Sequence, residues 1–153
     1  MIRHILIPSD GSKLSENAIK HGMKLAKALG AKVTGLHVIP PFHSFTYRSQ
    51  MLLTYHVALS EDSEAEYKRA TSACAKKLLQ TIKRAAEVEG VLCDTIQASN
   101  DQPSNAIIDA ARKKSCDLIL MASHGHAGLG GVLLGSETQK VLTHSRIPVL
   151  VYR

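Results

Sequence analysis

Three short segments of this chain are apolar on nearly every residue: "HILIP" beginning at His4, "LILMA" at Leu118 and "PVLVY" at Pro148. A strand with one wet face alternates apolar and polar side chains, so runs without that alternation must be covered on both faces. Helical patterns lie between them. In "SENAIKHGMKLAKALG", Ile19, Met23, Ala26 and Leu29 fall near helical spacing and Gly30 supplies the stop. From about 61 to 89, Leu78, Leu79, Ile82 and Ala86 share one face of a long helix. "KVTGLHVI", closed by Pro40 and Pro41, and "LCDTIQAS" read as two further strands. "PSNAIIDAARKK", with Pro103 near its first turn, and "SETQKVLTHS" read as helices. Strands alternating with helices predict an α/β fold in which a five-stranded parallel sheet lies between two helical layers. In such open sheets ligands bind beyond the carboxyl ends of the strands, where the strand order switches. The loops at 8–12, 38–41 and 122–136 are therefore the places to look.

A chain of 153 residues suits one core, and no repeat or linker divides it, so residues 1–153 are expected to form a single domain. Residues 42–60 stand apart, with Phe42, Phe45, Tyr47 and Tyr55 and the single charge of Arg48. A short helix packed on the core and a flap over the site are both compatible with that composition.

The formal charge of +6 comes from 19 Lys and Arg against 13 Asp and Glu. Its densest cluster is only Arg112-Lys113-Lys114, at a predicted helix end where cations complement the dipole. The remaining bases alternate with acids along helices, as solvated faces do, so no nucleic-acid partner is expected. The opening "MIRHILIPSD" is too short in its apolar run for a signal peptide, and no run is fit to span a bilayer. The cytoplasm is the expected location, without membrane association. Cys74, Cys93 and Cys116 are widely spaced, and reduced, mostly buried thiols are the expectation.

The stretch "LILMASHGHAGLGGVLLGSETQKV" carries the functional question. From Leu118 to Ser136 it holds no Asp, Glu, Lys or Arg, and glycines stand at 125, 128, 130, 131 and 135. It is not a P-loop, because no Lys follows Gly135-Ser136. Nor is it a dinucleotide fingerprint, since Leu133 stands where Gly128-x-Gly130 would need a small residue. His124 and His126 invite a metal, but no further ligand lies at helpful spacing, so none is expected in the protein itself. Without cations in the loop, phosphate charge would have to meet backbone N–H groups and the start of the last helix. Ser136 suits the N-cap there. Ser136-Glu137-Thr138-Gln139 also reads as a capping box, which accounts for the tetrad without any ligand.

What remains is a spacing: Ala122-x-x-Gly125, nine residues, then Gly135-Ser136. With "ILIPSDGS", "LHVI" and "LGSETQKVLTHSRIPVLV", this resembles the nucleotide-binding branch of the universal stress protein family, whose motif is G-x-x-G-x9-G-[ST]. The resemblance covers the whole chain and implies a Rossmann-like three-layer sandwich with strand order 3-2-1-4-5. It implies ATP, or AMP or ADP, held by Pro8, Ser9, Asp10, Val38, Met121, Ala122, His124, Gly125, Gly135, Ser136 and Glu137. Adenine would be read by the backbone at Val38, and Asp10 would lie beside the ribose or a phosphate-bound Mg or Mn. Asp10 has a second reading, an Asx-turn opening the first helix.

Ala122 departs from the motif, which has glycine there. Were positive φ needed at 122, the site would be strained; in an extended strand end, alanine costs little. The second case is favoured because Ala122 directly continues "LILM". Phosphoryl transfer relies on Lys, Arg and metal charge that this loop lacks, so the expectation is a regulatory ATP-binding module with no catalytic residue and at most slow turnover. The alternative is a nucleotide-free interaction module in which Ala122 has weakened or closed the site. The resemblance also implies a homodimer through residues 147–152, with Ile147 and Tyr152 at the ends of the apolar segment, and an unidentified protein partner.

Overall fold

The computed structural model describes residues 1–42, 64–126 and 134–153. Along the chain they form β1 (His4–Pro8), α1 (Lys13–Leu29), β2 (Lys32–Ile39), α2 (Glu64–Glu89), β3 (Cys93–Ser99), α3 (Pro103–Lys113), β4 (Leu118–Ala122), α4 (Ser136–His144) and β5 (Val149–Tyr152). All strands are parallel, in the order β3-β2-β1-β4-β5. That is the expected order. The aromatic stretch 43–60, and with it the question of a flap and of Arg48, lies outside the described residues.

Strand alternation sorts the core into two halves. Ile5, Ile7, Val33, Leu118 and Leu120 face Ala18, Ile19, Met23 and Ala26 of α1 and Ile82 and Ala86 of α2. Leu6, Leu36, Val38, Ile119 and Met121 face Ala106, Ile107, Ala110 and Ala111 of α3 and Val141 of α4. Both halves are apolar because both faces of the central strands are covered. Helix α1 opens on Ser12, whose hydroxyl accepts from the Ser15 N–H at 3.2 Å. It closes on Gly30 at φ 63°, whose N–H returns to the helix, as that left-handed position allows.

The two central strands do not stay together. β1 pairs with β2 as far as Pro8↔Leu36, yet with β4 only at Ile5↔Leu118 and Leu6↔Ile119. Because the Ser9 N–H goes to Leu36 of β2, alternation turns Pro8 toward β4, where its missing N–H ends the ladder. The sheet opens at the point where the strand order reverses. Among the described residues no helix is long and apolar enough to cross a membrane.

Candidate functional site

The connections leaving β1 and β4 meet at this opening. After β1 the chain turns at once: the Ser12 N–H donates to Asp10 Oδ1 at 3.0 Å, which is the Asx-turn, and the Gly11 N–H donates to Ser9 Oγ at 3.2 Å. Asp10 Oδ2 then accepts the main-chain N–H of His126 at 3.1 Å, and His126 Nε2 donates to the Asp10 carbonyl at 3.1 Å. Asp10 thus ties the turn after β1 to the glycine loop after β4.

The two described glycines of that loop, Gly125 and Gly135, answer to close approach. A Cβ at Gly125 would overlap Asp10 Oδ2. One at Gly135 would lie 3.2 Å from His124 Cα and 3.4 Å from the Ser123 carbonyl oxygen, tighter than backbone readily allows. Gly135 also donates its N–H to that carbonyl at 2.7 Å, so the loop ends where it began. His124 Nδ1 lies 3.1 Å from Ser123 Oγ. Residues 127–133 lie outside the described part.

Ala122 belongs to β4, opposite Tyr152, and Ser115 is the only described non-glycine residue at positive φ. The alanine is therefore unstrained, and its carbonyl accepts from Thr138 Oγ1 of α4 at 3.0 Å. The cap of α4 falls one residue earlier than expected. Gly135 is the N-cap, with φ −69° and ψ 155°, and Ser136 is the first helical residue. The capping box does not form: Gln139 Nε2 instead reaches the Leu134 carbonyl at 3.3 Å. The bond from Gly135 to Ser123 fixes this register, and it leaves the Ser136 side chain exposed at the helix start.

Glu137 turns away from the opening. Its Oε2 accepts from the Ser104 N–H of α3 at 2.8 Å, and its Oε1 pairs with Lys140 at 2.8 Å. Burial opposes ionisation here, but Lys140 and the Ser104 N–H outweigh it and hold the carboxyl below its ordinary range. Gln102, the N-cap of α3, makes no side-chain cap, so Glu137 serves α3 from a different helix. Of the expected site residues, Met121 is a core side chain against α3 and α4. Ser9, Asp10, His124, Gly125, Gly135 and Ser136 come together around the opening, with Pro8 and Ala122 at the ends of the two strands.

Val38 stands across from them, buried in β2. Leu36 directs its backbone toward β1 and Ile39 toward β3, so Val38 directs both its N–H and its C=O to the β1 side, where β1 has ended. Neither group has a hydrogen-bond partner among the described residues. Beside it the fully buried His37 donates Nδ1–H to the Ser9 carbonyl at 2.8 Å, and burial lowers its pKa. Sequence reasoning missed His37 and the tertiary role of His126; neither has a motif of its own.

Among the described residues no group of three or more His, Cys, Asp or Glu could hold a metal ion. Asp10 alone, with lone pairs left on both oxygens, fits a cation brought in on phosphates. The three cysteines are free thiols; Cys116 is buried and the other two are half-buried. Burial pushes the Cys116 thiol up to about 11.

The model of the universal stress protein family matches residues 1–153. Universal stress protein YxiE of Bacillus subtilis is 32% identical over 153 residues, covering all of both chains. Universal stress protein MJ0577 of Methanocaldococcus jannaschii is 35% identical over 158 residues, covering 100% of this chain and 96% of the relative. A solved structure of MJ0577 superposes with a TM-score of 0.79 at 30% identity, covering 99% and 96% of the two chains. A universal stress protein solved in complex with cAMP has a TM-score of 0.70 at 19% identity, covering 99% and 97%. One from Archaeoglobus fulgidus, in complex with dAMP, has 0.64 at 14%, covering 100% and 98%. The last two establish likeness of fold.

Proposed function

Because the chain belongs to the universal stress protein family, we propose that it binds an adenine nucleotide, ATP above all, in the opening between β1 and β4, and acts as a cytoplasmic regulatory module. The observation that carries this reading is the backbone pair of Val38, which has no partner among the described residues. A buried N–H and C=O without partners is costly unless a ligand completes them. An adenine edge, with an amino donor beside a ring-nitrogen acceptor, matches that pair. Ser136 at the start of α4 and the main-chain N–H groups behind it face the phosphates; Asp10 lies beside the ribose or a phosphate-bound Mg or Mn. Relatives of this fold have been solved with cAMP and with dAMP, which supports an adenine nucleotide in general.

The same geometry argues for slow turnover or none. From Leu118 to Ser136 no Lys or Arg is available to a leaving phosphate, and Lys140 is engaged by Glu137. The nucleotide acts as a ligand. β5 is a sheet edge and Leu150 is exposed on it, which supports a homodimer through residues 147–152.

Calorimetric titration with ATP and magnesium tests the reading, with Ser136→Glu alongside. Glutamate in the first turn suits the helix but repels phosphate, so this variant should fold as well as wild type and bind ATP at least about tenfold more weakly. ATP binding by neither protein would overturn the reading and favour the nucleotide-free interaction module.

A further inference from the structure

We infer that His37 is a positioning residue that keeps the Val38 amide open to a ligand, by occupying the carbonyl which would otherwise claim it. The inference rests on the reading that Val38 meets the adenine edge. Its basis is the way the β1–β2 ladder stops. The Ser9 N–H still makes a regular rung, donating to the Leu36 carbonyl at 2.9 Å. In a parallel ladder the next rung runs from the Val38 N–H to the Ser9 carbonyl. That rung is not made. The Ser9 carbonyl instead accepts from His37 Nδ1 at 2.8 Å. The rung after it would take the Gly11 N–H to the Val38 carbonyl, but Gly11 donates to Ser9 Oγ at 3.2 Å. Among the described residues, both groups that the ladder would set against the Val38 backbone have another partner.

The ring is well placed to do this. Side chains of β2 alternate, so His37 lies on the α1 and α2 side of the sheet while Val38 lies on the other. A carbonyl drawn toward His37 leaves the plane of the sheet, where the Val38 N–H points. Ser9 accepts through a carbonyl, so the proton sits on Nδ1. His37 is 1% exposed and Ser9 is 7% exposed. If the imidazole were removed, the Ser9 carbonyl would be a buried acceptor without a donor, and the Val38 N–H is the group the ladder offers it.

The test uses His37→Leu, which removes the donor, and His37→Asn, whose amide can present a donor near the position of Nδ1. Isotope-labelled protein is read for through-hydrogen-bond coupling between the Val38 amide nitrogen and the Ser9 carbonyl carbon. The coupling should be absent from wild type and from His37→Asn, and present in His37→Leu. ATP affinity should fall roughly tenfold in His37→Leu, the loss of about one hydrogen bond, and return in His37→Asn. Binding of inorganic tripolyphosphate should be the same in all three. Wild type showing the Val38–Ser9 coupling, or His37→Leu lacking it while retaining full ATP affinity, would overturn the inference. Should His37→Leu not fold, wild type alone decides, by coupling from His37 Nδ1 to Ser9 and none from Val38. If wild type proves indifferent to the base, the nucleotide reading fails, while the coupling still reports on His37.

Discussion

Asp10 and His126, 116 residues apart in the chain, hold each other at both ends: the carboxylate takes the His126 N–H and the imidazole returns a bond to the Asp10 carbonyl, each at 3.1 Å. Gly125 lies directly beneath the carboxylate, without room for a Cβ. The acid proposed to stand beside the ribose is therefore also the clasp that shapes the loop.

Gly125→Ala should displace the Asp10 carboxylate and break its bond to His126. The expected loss is about 1–3 kcal/mol by urea denaturation, from overpacking and a lost charge-assisted bond. In an Asp10→Ala background the same substitution should cost at least about 1 kcal/mol less, because the group it strikes is gone. Equal costs in both backgrounds would mean that Asp10 does not set the requirement for glycine.

Glu137 carries a pH signature. Its folded pKa is depressed, so the stability it contributes is fully present above the unfolded value, about 4.3, and is lost as pH falls through the lower folded value. Glu137→Gln should reduce stability by about 1 kcal/mol at pH 7, a modest figure because the Lys140 side is half exposed and screened. Near pH 3 the two proteins should approach one another. A difference that stays constant from pH 7 to 3 would assign the effect to packing.

Ala122→Gly restores the residue typical of the motif and should bring no gain in binding. With Ala122 already extended in β4, ATP affinity should stay within about threefold, while stability should drop by about 0.5–1 kcal/mol from glycine in a strand. A tenfold tightening would show that the methyl group obstructs the ligand.

Leu150→Lys addresses assembly. Leu150 is 45% exposed on the edge strand of the sheet. Light scattering at micromolar concentration should give a dimer for wild type and a monomer for the variant, since a buried lysine at a paired edge is strongly unfavourable. A monomeric wild type would remove the proposed interface.

β1 and β4 were legible because a strand buried on both faces leaves an unbroken apolar run, as at Leu118–Ala122. β5 carries such a run too, yet it is an edge strand with one face open at Leu150. Helix ends were legible where a local signal decides them, such as Gly30. The cap of α4 was not, because the Gly135 bond to Ser123 moves it back one residue from Ser136. Glu137 reaching Ser104 and His37 reaching Ser9 were equally hidden. Their partners lie 33 and 28 residues away, and only the folded sheet brings them together. Motif spacing pointed at the loop after β4; the contacts that shape it are tertiary.

The bond from the Gly135 N–H to the Ser123 carbonyl joins the two sides of the segment between them at 2.7 Å. A scaffold that staples the base of a loop uncouples the loop's content from its own folding. Length and sequence between the two stapled positions can then change without moving the place where β4 hands over to α4.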